Sequence, residues 1–169
     1  SVLSQKYNVL KTEGNFNNEI GLPLTVFNIR EEHEVAVLEM GISGFDEMTR
    51  LAKVARPDVC VITNIGAAHL ENLGSRDGIL KAKTEMFTYM NPKGTIILNG
   101  DDDKLISFTP ENGIAPTYFG LNASHPFHAE NVVNQGLKGS AADFVTPNSR
   151  FHAHVSIPGS HMVYNALAG

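Results

Sequence analysis

Asp58-Val-Cys-Val-Ile-Thr-Asn-Ile-Gly-Ala-Ala-His-Leu-Glu-Asn-Leu-Gly-Ser-Arg-Asp-Gly-Ile-Leu-Lys-Ala-Lys-Thr-Glu85 reads as a strand, a tight glycine turn and a helix. The apolar run from Val59 to Ile65 stops at Gly66, and His69 follows at once. A run so rich in β-branched residues predicts a strand buried on both faces of a parallel sheet. In open α/β sheets, ligands sit beyond the carboxyl ends of such strands. Asn64 and His69 therefore stand where chemistry is expected, with Lys83 and Glu85 on the helix that follows.

The pattern repeats on either side. Upstream, Val35 to Met40 predicts a strand whose apolar run breaks at Glu39, just before the glycine-punctuated loop 41–44. A carboxylate at such a strand end is costly unless it is paired or binds a metal. Met48, Leu51, Ala52 and Ala55 recur at helical spacing over 46–55, and Arg56-Pro57 ends that helix. Downstream, a helix over 79–90 ends at Asn91-Pro-Lys-Gly94. A strand over 95–98, a short helix over 105–108 and a strand over 116–120 follow. Before all of these come a helix tail over 1–6, a strand over 7–10 and a polar loop over 12–21. A short helix over 23–29 and a charged, solvated turn over 31–34 complete the N-terminal part. Three asparagines crowd into residues 15–18. That composition fits a plain connection, and equally a loop that offers donors and acceptors to a ligand.

Beyond His125 helical periodicity disappears. Segments 129–133, 142–146 and 151–157 alternate weakly between glycine and proline punctuation, predicting a small antiparallel sheet appended to the α/β body. Phe151-His-Ala-His-Val155 puts His152 and His154 on one strand face. With no third ligand nearby, they read as a solvated face. Pro158-Gly159 leads into the start of a last helix. The expected organisation is an α/β body over 1–122, the small sheet over 123–158 and a helix start over 159–169. Both ends read as cut, as in a piece of a longer protein.

The 169 residues suffice for one domain with a core. A hydrophobic content of 42% with 18% charged residues is that of a globular chain. No apolar run approaches the roughly 20 residues of a membrane helix, and no signal peptide is visible at the start. A net charge of −5 gives no general positive field for nucleic acid. Cys60, the single cysteine, lies in the apolar run and reads as a small buried hydrophobe.

Glu39, His69 and Lys83 form the informative set, each at a strand end or on the helix after it. Glu39 and His69 offer one oxygen and one nitrogen to a divalent cation. Oxygen-rich ligation with few protein groups is the habit of Mg²⁺ near phosphates, while a histidine also suits Mn²⁺ or Zn²⁺. The chain contains no Gly-Lys dipeptide, so it holds no P-loop of its own.

Several stretches together resemble the Mur ligases. They are Thr12-Glu-Gly-Asn-Phe-Asn-Asn-Glu-Ile-Gly-Leu-Pro-Leu-Thr25, Val37-Leu-Glu-Met-Gly41, Ile62-Thr-Asn-Ile-Gly66 and Ala68-His-Leu-Glu71. Leu80-Lys-Ala-Lys-Thr-Glu85, Leu98-Asn-Gly-Asp-Asp102 and Gly159-Ser-His-Met-Val-Tyr-Asn-Ala-Leu-Ala168 continue the series. The motifs keep their order over nearly the whole chain. Within the family, the Asn-Asn-Glu-Ile-Gly loop favours the branch that joins D-alanyl-D-alanine to UDP-N-acetylmuramoyl tripeptide with ATP.

The resemblance implies the central ATPase domain of a three-domain cytoplasmic enzyme of peptidoglycan synthesis. Its sheet would be three-layered and P-loop-NTPase-like, with the P-loop before Ser1. It assigns Glu39 to Mg²⁺, His69 to a second Mg²⁺, and Lys83, at the same metal site, to the lysine carbamylated by CO₂ in this family. Asn17, Asn18, Thr12 and Asn64 would face the muramoyl substrate, and Asn165 with His161 would meet the adenine of ATP. Met162 departs from the family pattern, which often has asparagine there. Competing readings are another Mur ligase, a folylpolyglutamate synthetase, a nucleotide-binding module without catalysis, and a metal-dependent hydrolase built on Glu39 and His69.

Overall fold

The computed structural model describes residues 2–169. Ser1, the first residue of the expected helix tail, lies outside the described residues. The chain divides into two compact units. The first gathers the residues up to Cys60 with Gly66–Gly94 and Pro110–Ile114, and the second gathers Val61–Ile65, Thr95–Thr109 and Ala115–Gly169.

In the first unit, a 3-10 turn over Leu3–Gln5 precedes strand β1, Val9–Lys11. Helix α1, Gly21–Val26, lies in the connection to strand β2, Val35–Val37. The two strands pair in parallel, with Val9 opposite Val35 and Lys11 opposite Val37. A parallel pair requires such a crossover. Strand β2 ends at Val37, so Glu39 lies just past it rather than within it.

Helix α2, Glu47–Ala55, buries Met48, Leu51 and Ala52, the face that the apolar spacing predicts. Its capping residue Arg56 takes a left-handed conformation, and Pro57 prevents continuation. Helix α3, Leu70–Leu73, and helix α4, Arg76–Thr84, follow, the latter capped by the Ser75 hydroxyl at 3.1 Å from the Gly78 amide. The helix expected over 79–90 thus starts earlier and tightens into a 3-10 turn over Glu85–Thr88. Helix α2 packs on α1, α4 and that turn. Leu22, Met48, Leu51, Ile79, Ala82, Met86 and Phe87 are buried in this unit.

The second unit carries most of a six-stranded sheet. Its order is β3 (Val59–Ile62), β4 (Thr95–Asn99), β5 (Thr117–Gly120), β6 (Phe127–Asn134), β7 (Ser140–Thr146) and β8 (Ser149–Val155). Strands β4, β5 and β6 run parallel, and β6, β7 and β8 antiparallel. The antiparallel strands predicted from sequence are therefore present. They extend the parallel sheet, because Phe119 and Gly120 of β5 pair with Phe127 and His128 of β6. Helix α5, Asp103–Ile106, follows β4, and helix α6, His161–Leu167, lies on β5 to β8.

One expectation fails. Strand β3 is not buried on both faces: Cys60 and Ile62 are buried, whereas Val59 and Val61 are 51% and 38% exposed. The reason is position, since β3 forms the edge of the sheet and only one of its faces is covered here. No described helix is long and apolar enough to cross a membrane.

Candidate functional site

Glu39 is held by the polar loop that follows β1. Its amide donates to Thr12 Oγ1 at 2.9 Å, and Asn17 Nδ2 donates to Glu39 Oε1 at 2.9 Å. The Thr12 amide donates to the Val37 carbonyl at 3.0 Å, continuing the β1–β2 ladder one step. The Gly41 amide donates to the Asn17 carbonyl at 2.8 Å. A Cβ at Gly41 would lie 2.9 Å from the Asn17 side chain, so glycine is what lets the loop close on this strand end. Thr12, Asn17 and Glu39 thus come together, with one carboxylate oxygen aimed by an amide donor and the side chain still exposed. Asn18 turns to other work. Its Oδ1 accepts from the Ile20 and Gly21 amides at 3.1 and 2.9 Å, fixing the start of α1.

His69 precedes α3 and has a left-handed backbone, φ 63°. Few non-glycine residues adopt that conformation, and such strain gathers at functional sites. The His69 carbonyl accepts from the Asn72 and Leu73 amides at 3.1 and 3.0 Å, so the turn is fixed while the residue is exposed. Lys83 sits half-buried in the last turn of α4. Lys81 is exposed, with Nζ 5.8 Å from the Phe45 ring centroid. Residues two apart on a helix point to different sides, so the two lysines have different surroundings.

Glu85 has a role that sequence reasoning missed. Its carboxylate accepts from the Asp46 amide at 3.1 Å, the Thr49 amide at 3.1 Å and the Thr49 hydroxyl at 3.0 Å. Helix α2 has no side-chain cap of its own, because Asp46 is left-handed and makes none. Glu85 supplies that cap from the turn directly after Lys83. No local pattern announces a cap from so far along the chain.

In the second unit, Asn64 is exposed just beyond β3. The residues on either side of it are held from the end of β4 and the turn after it. Asn99 Nδ2 donates to the Thr63 carbonyl at 2.9 Å, and the Ile65 amide donates to Asp102 Oδ2 at 2.8 Å. Asp102 Oδ1 also accepts from the Lys104 and Leu105 amides at 3.0 and 3.1 Å, capping α5. The short helix expected over 105–108 thus starts two residues earlier, at Asp103, where Asp102 caps it.

Helix α6 carries His161 and Asn165, both exposed. Between them, the Tyr164 hydroxyl donates to Asp101 Oδ2 at 3.1 Å. Asp101 also accepts from the Leu121 amide, and its Oδ1 lies 3.1 Å from His125 Nε2. Burial pushes the Asp101 carboxyl up, but Leu121, Tyr164 and His125 outweigh it and hold it below the ordinary carboxylate value. The Tyr164 hydroxyl is pushed up to about 12 by burial and by Asp101.

Among the described residues, no three His, Cys, Asp or Glu side chains gather where they could hold a metal. An exposed carboxylate and an exposed imidazole fit a cation that keeps most of its shell as water and phosphate. His152 and His154 lie exposed on β8, as expected of a solvated face. His152 Nδ1 is 2.8 Å from Asp143 Oδ1. Cys60 is buried, and burial pushes its thiol up to about 12.

The Mur ligase middle domain model matches residues 1–169. The UDP-N-acetylmuramoyl-tripeptide--D-alanyl-D-alanine ligase of Bacillus subtilis (strain 168) is 39% identical over 170 residues, covering 99% of this chain and 35% of that protein. The enzyme of the same name from Escherichia coli (strain K12) is 32% identical over 169 residues, covering 99% of this chain and 37% of that protein. Among solved structures, MurF from Acinetobacter baumannii superposes with a TM-score of 0.90 at 31% identity, over 99% of this chain and 36% of that one. MurF ligase from Thermotoga maritima in complex with ADP gives 0.85 at 30% identity, over 98% of this chain and 38% of that one. The chain spans about a third of the length of these relatives. A match along the whole chain, on the fold described above, means that this chain belongs to the Mur ligase family and corresponds to its middle domain.

Proposed function

We propose that this chain is the central domain of a longer ATP-dependent amide ligase. The parent joins D-alanyl-D-alanine to a UDP-N-acetylmuramoyl tripeptide, in the cytoplasm, during peptidoglycan synthesis. The observation that carries the reading is the clamp on Glu39. The Asn-Asn-Glu-Ile-Gly loop that distinguishes this branch aims the proposed metal-binding carboxylate through Asn17. Relatives of that name at 39% and 32% identity support it.

In this reading the tripeptide carboxylate attacks the γ-phosphate of ATP, giving an acyl phosphate and ADP. The amine of D-alanyl-D-alanine then adds to the acyl carbon, and phosphate leaves from the tetrahedral intermediate. Glu39 and His69 would hold Mg²⁺, which supplies charge neutralisation on the phosphates. Asn17 fixes the direction of the Glu39 carboxylate, and Thr12 fixes its backbone. Lys83, if carbamylated, presents a negative charge where a lysine would otherwise present a positive one. The first unit carries Thr12, Asn17, Asn18, Glu39, His69 and Lys83, and the second carries Asn64, His161 and Asn165. The rest of the parent's central domain would supply the P-loop, and its flanking domains the remaining substrate contacts.

The test is ligation by the full-length parent, given UDP-muramoyl tripeptide, ATP and D-alanyl-D-alanine, with Glu39→Ala and Asn17→Ala beside it. Glu39→Ala should cost at least about a hundredfold in kcat/KM, the scale of losing a group that stabilises transferring phosphate. Asn17→Ala should cost about tenfold and raise the Mg²⁺ concentration needed for half-maximal rate. Full activity in Glu39→Ala would overturn the assignment.

A further inference from the structure

Helix α6 has only seven residues, too few to hold its shape without tertiary contacts. Its apolar side is seated on the sheet. Val163 is fully buried with Ala129, Ala142 and Phe144, and Ala166 and Leu167 pack against the same cluster. That seat is largely alanine and valine, and apolar contact is non-directional. It keeps the apolar side of α6 inward and so sets the rotation of the helix coarsely, which a directional contact can narrow. Ser160, at the helix start, makes no side-chain cap that would narrow it.

The directional contact comes from Tyr164, through its hydrogen bond to Asp101. Asp101 is itself immobilised. The Leu121 amide and the His125 ring hold both of its oxygens, and His125 is 8% exposed. His125 is held in turn, since its carbonyl lies 2.8 Å from His128 Nδ1. Gly120 leaves the space in which this cluster sits: a Cβ there would lie 2.6 Å from Asp101 Oδ2 and 2.8 Å from the His125 ring. The next residue on α6 is Asn165, exposed, with its amide on the Met162 sulfur at 3.4 Å, a weak acceptor.

We propose that Asp101, acting through the Tyr164 hydroxyl, fixes the rotation of α6 and so positions Asn165 and His161 toward the adenine of ATP. The adenine part rests on the function proposed above, and the tether does not. Asp101 and Tyr164 are positioning residues: they orient α6 and touch no reacting atom.

Tyr164→Phe in the full-length parent is the test, because it removes the hydroxyl and keeps the ring packing. The ATP KM should rise about threefold to tenfold, the scale of the net contribution of one hydrogen bond, while kcat and the tripeptide KM stay within about twofold. Amide hydrogen exchange over residues 163–168 should be faster by a similar factor in the nucleotide-free variant. Unchanged exchange would overturn the tether. So would an equal loss in every kinetic parameter, which a merely structural role predicts. Asn165→Ala separates the two claims. If it leaves the ATP KM unmoved, the adenine reading fails and exchange alone judges the tether. If it raises the ATP KM while Tyr164→Phe does not, the positioning role fails.

Discussion

Glu39 shows how an exposed side chain can still be defined. Its backbone is bonded to Thr12 and one oxygen to Asn17, and Gly41 leaves room for the Asn17 side chain. Sequence marked Glu39 because a carboxylate interrupts an apolar run, but gave Thr12 and Asn17 no part in holding it. Those partners lie more than twenty positions away, and no local period reports them. Asp143 makes a second point on this scale. Hydrogen bonds from Asn131, His152 and Arg150 lower its carboxyl to about 2 from an ordinary 3.8. A depressed carboxyl binds fewer protons in the folded than in the unfolded state over that interval. Its stabilisation is complete above the ordinary value and is lost as pH falls toward 2. Thermal melts should therefore show Asp143→Asn less stable than the parent sequence at pH 6, by a small margin because its partners Arg150 and His152 are exposed. The two curves should meet near pH 2. A gap that persists there would mean that Asp143 acts by something other than its charge.

At the scale of elements, local chemistry placed helices well and long-range chemistry fixed their ends. Met48, Leu51 and Ala52 gave α2 its period, and burial follows that period. Its start is another matter, since Glu85 caps it from the turn after α4. Glu85→Ala should destabilise the protein by about 2–3 kcal/mol, the loss of a cap whose acceptor is charged. Urea unfolding would measure this, and a change under about 0.5 kcal/mol would show that the three bonds contribute little net stability. Strand β3 shows the opposite error. Its β-branched run read as buried on both faces, yet Val59 and Val61 are exposed. Composition reports what a strand tolerates, while its place in the sheet decides what covers it.

On the scale of the whole molecule, the chain matches a third of its relatives' length and lacks any Gly-Lys dipeptide. Residues 1–169 on their own should therefore release no phosphate from ATP in a phosphate-release assay with all three substrates present. Turnover above the buffer rate, abolished by Glu39→Ala, would contradict this. The sequence by itself determined the α/β class and the order of most strands and helices, and it marked the three residues around which the proposed chemistry turns. It could do so because hydrophobic period, glycine punctuation and a carboxylate in an apolar run are local signals. Only the tertiary structure decided what holds those residues. Asn17 on Glu39, Glu85 on α2, Asn99 and Asp102 around Asn64, and Asp101 on Tyr164 are contacts between segments 22 to 63 residues apart. Each is a directional hydrogen bond whose partner is chosen by the packing of the fold, and no pattern along the chain encodes that choice.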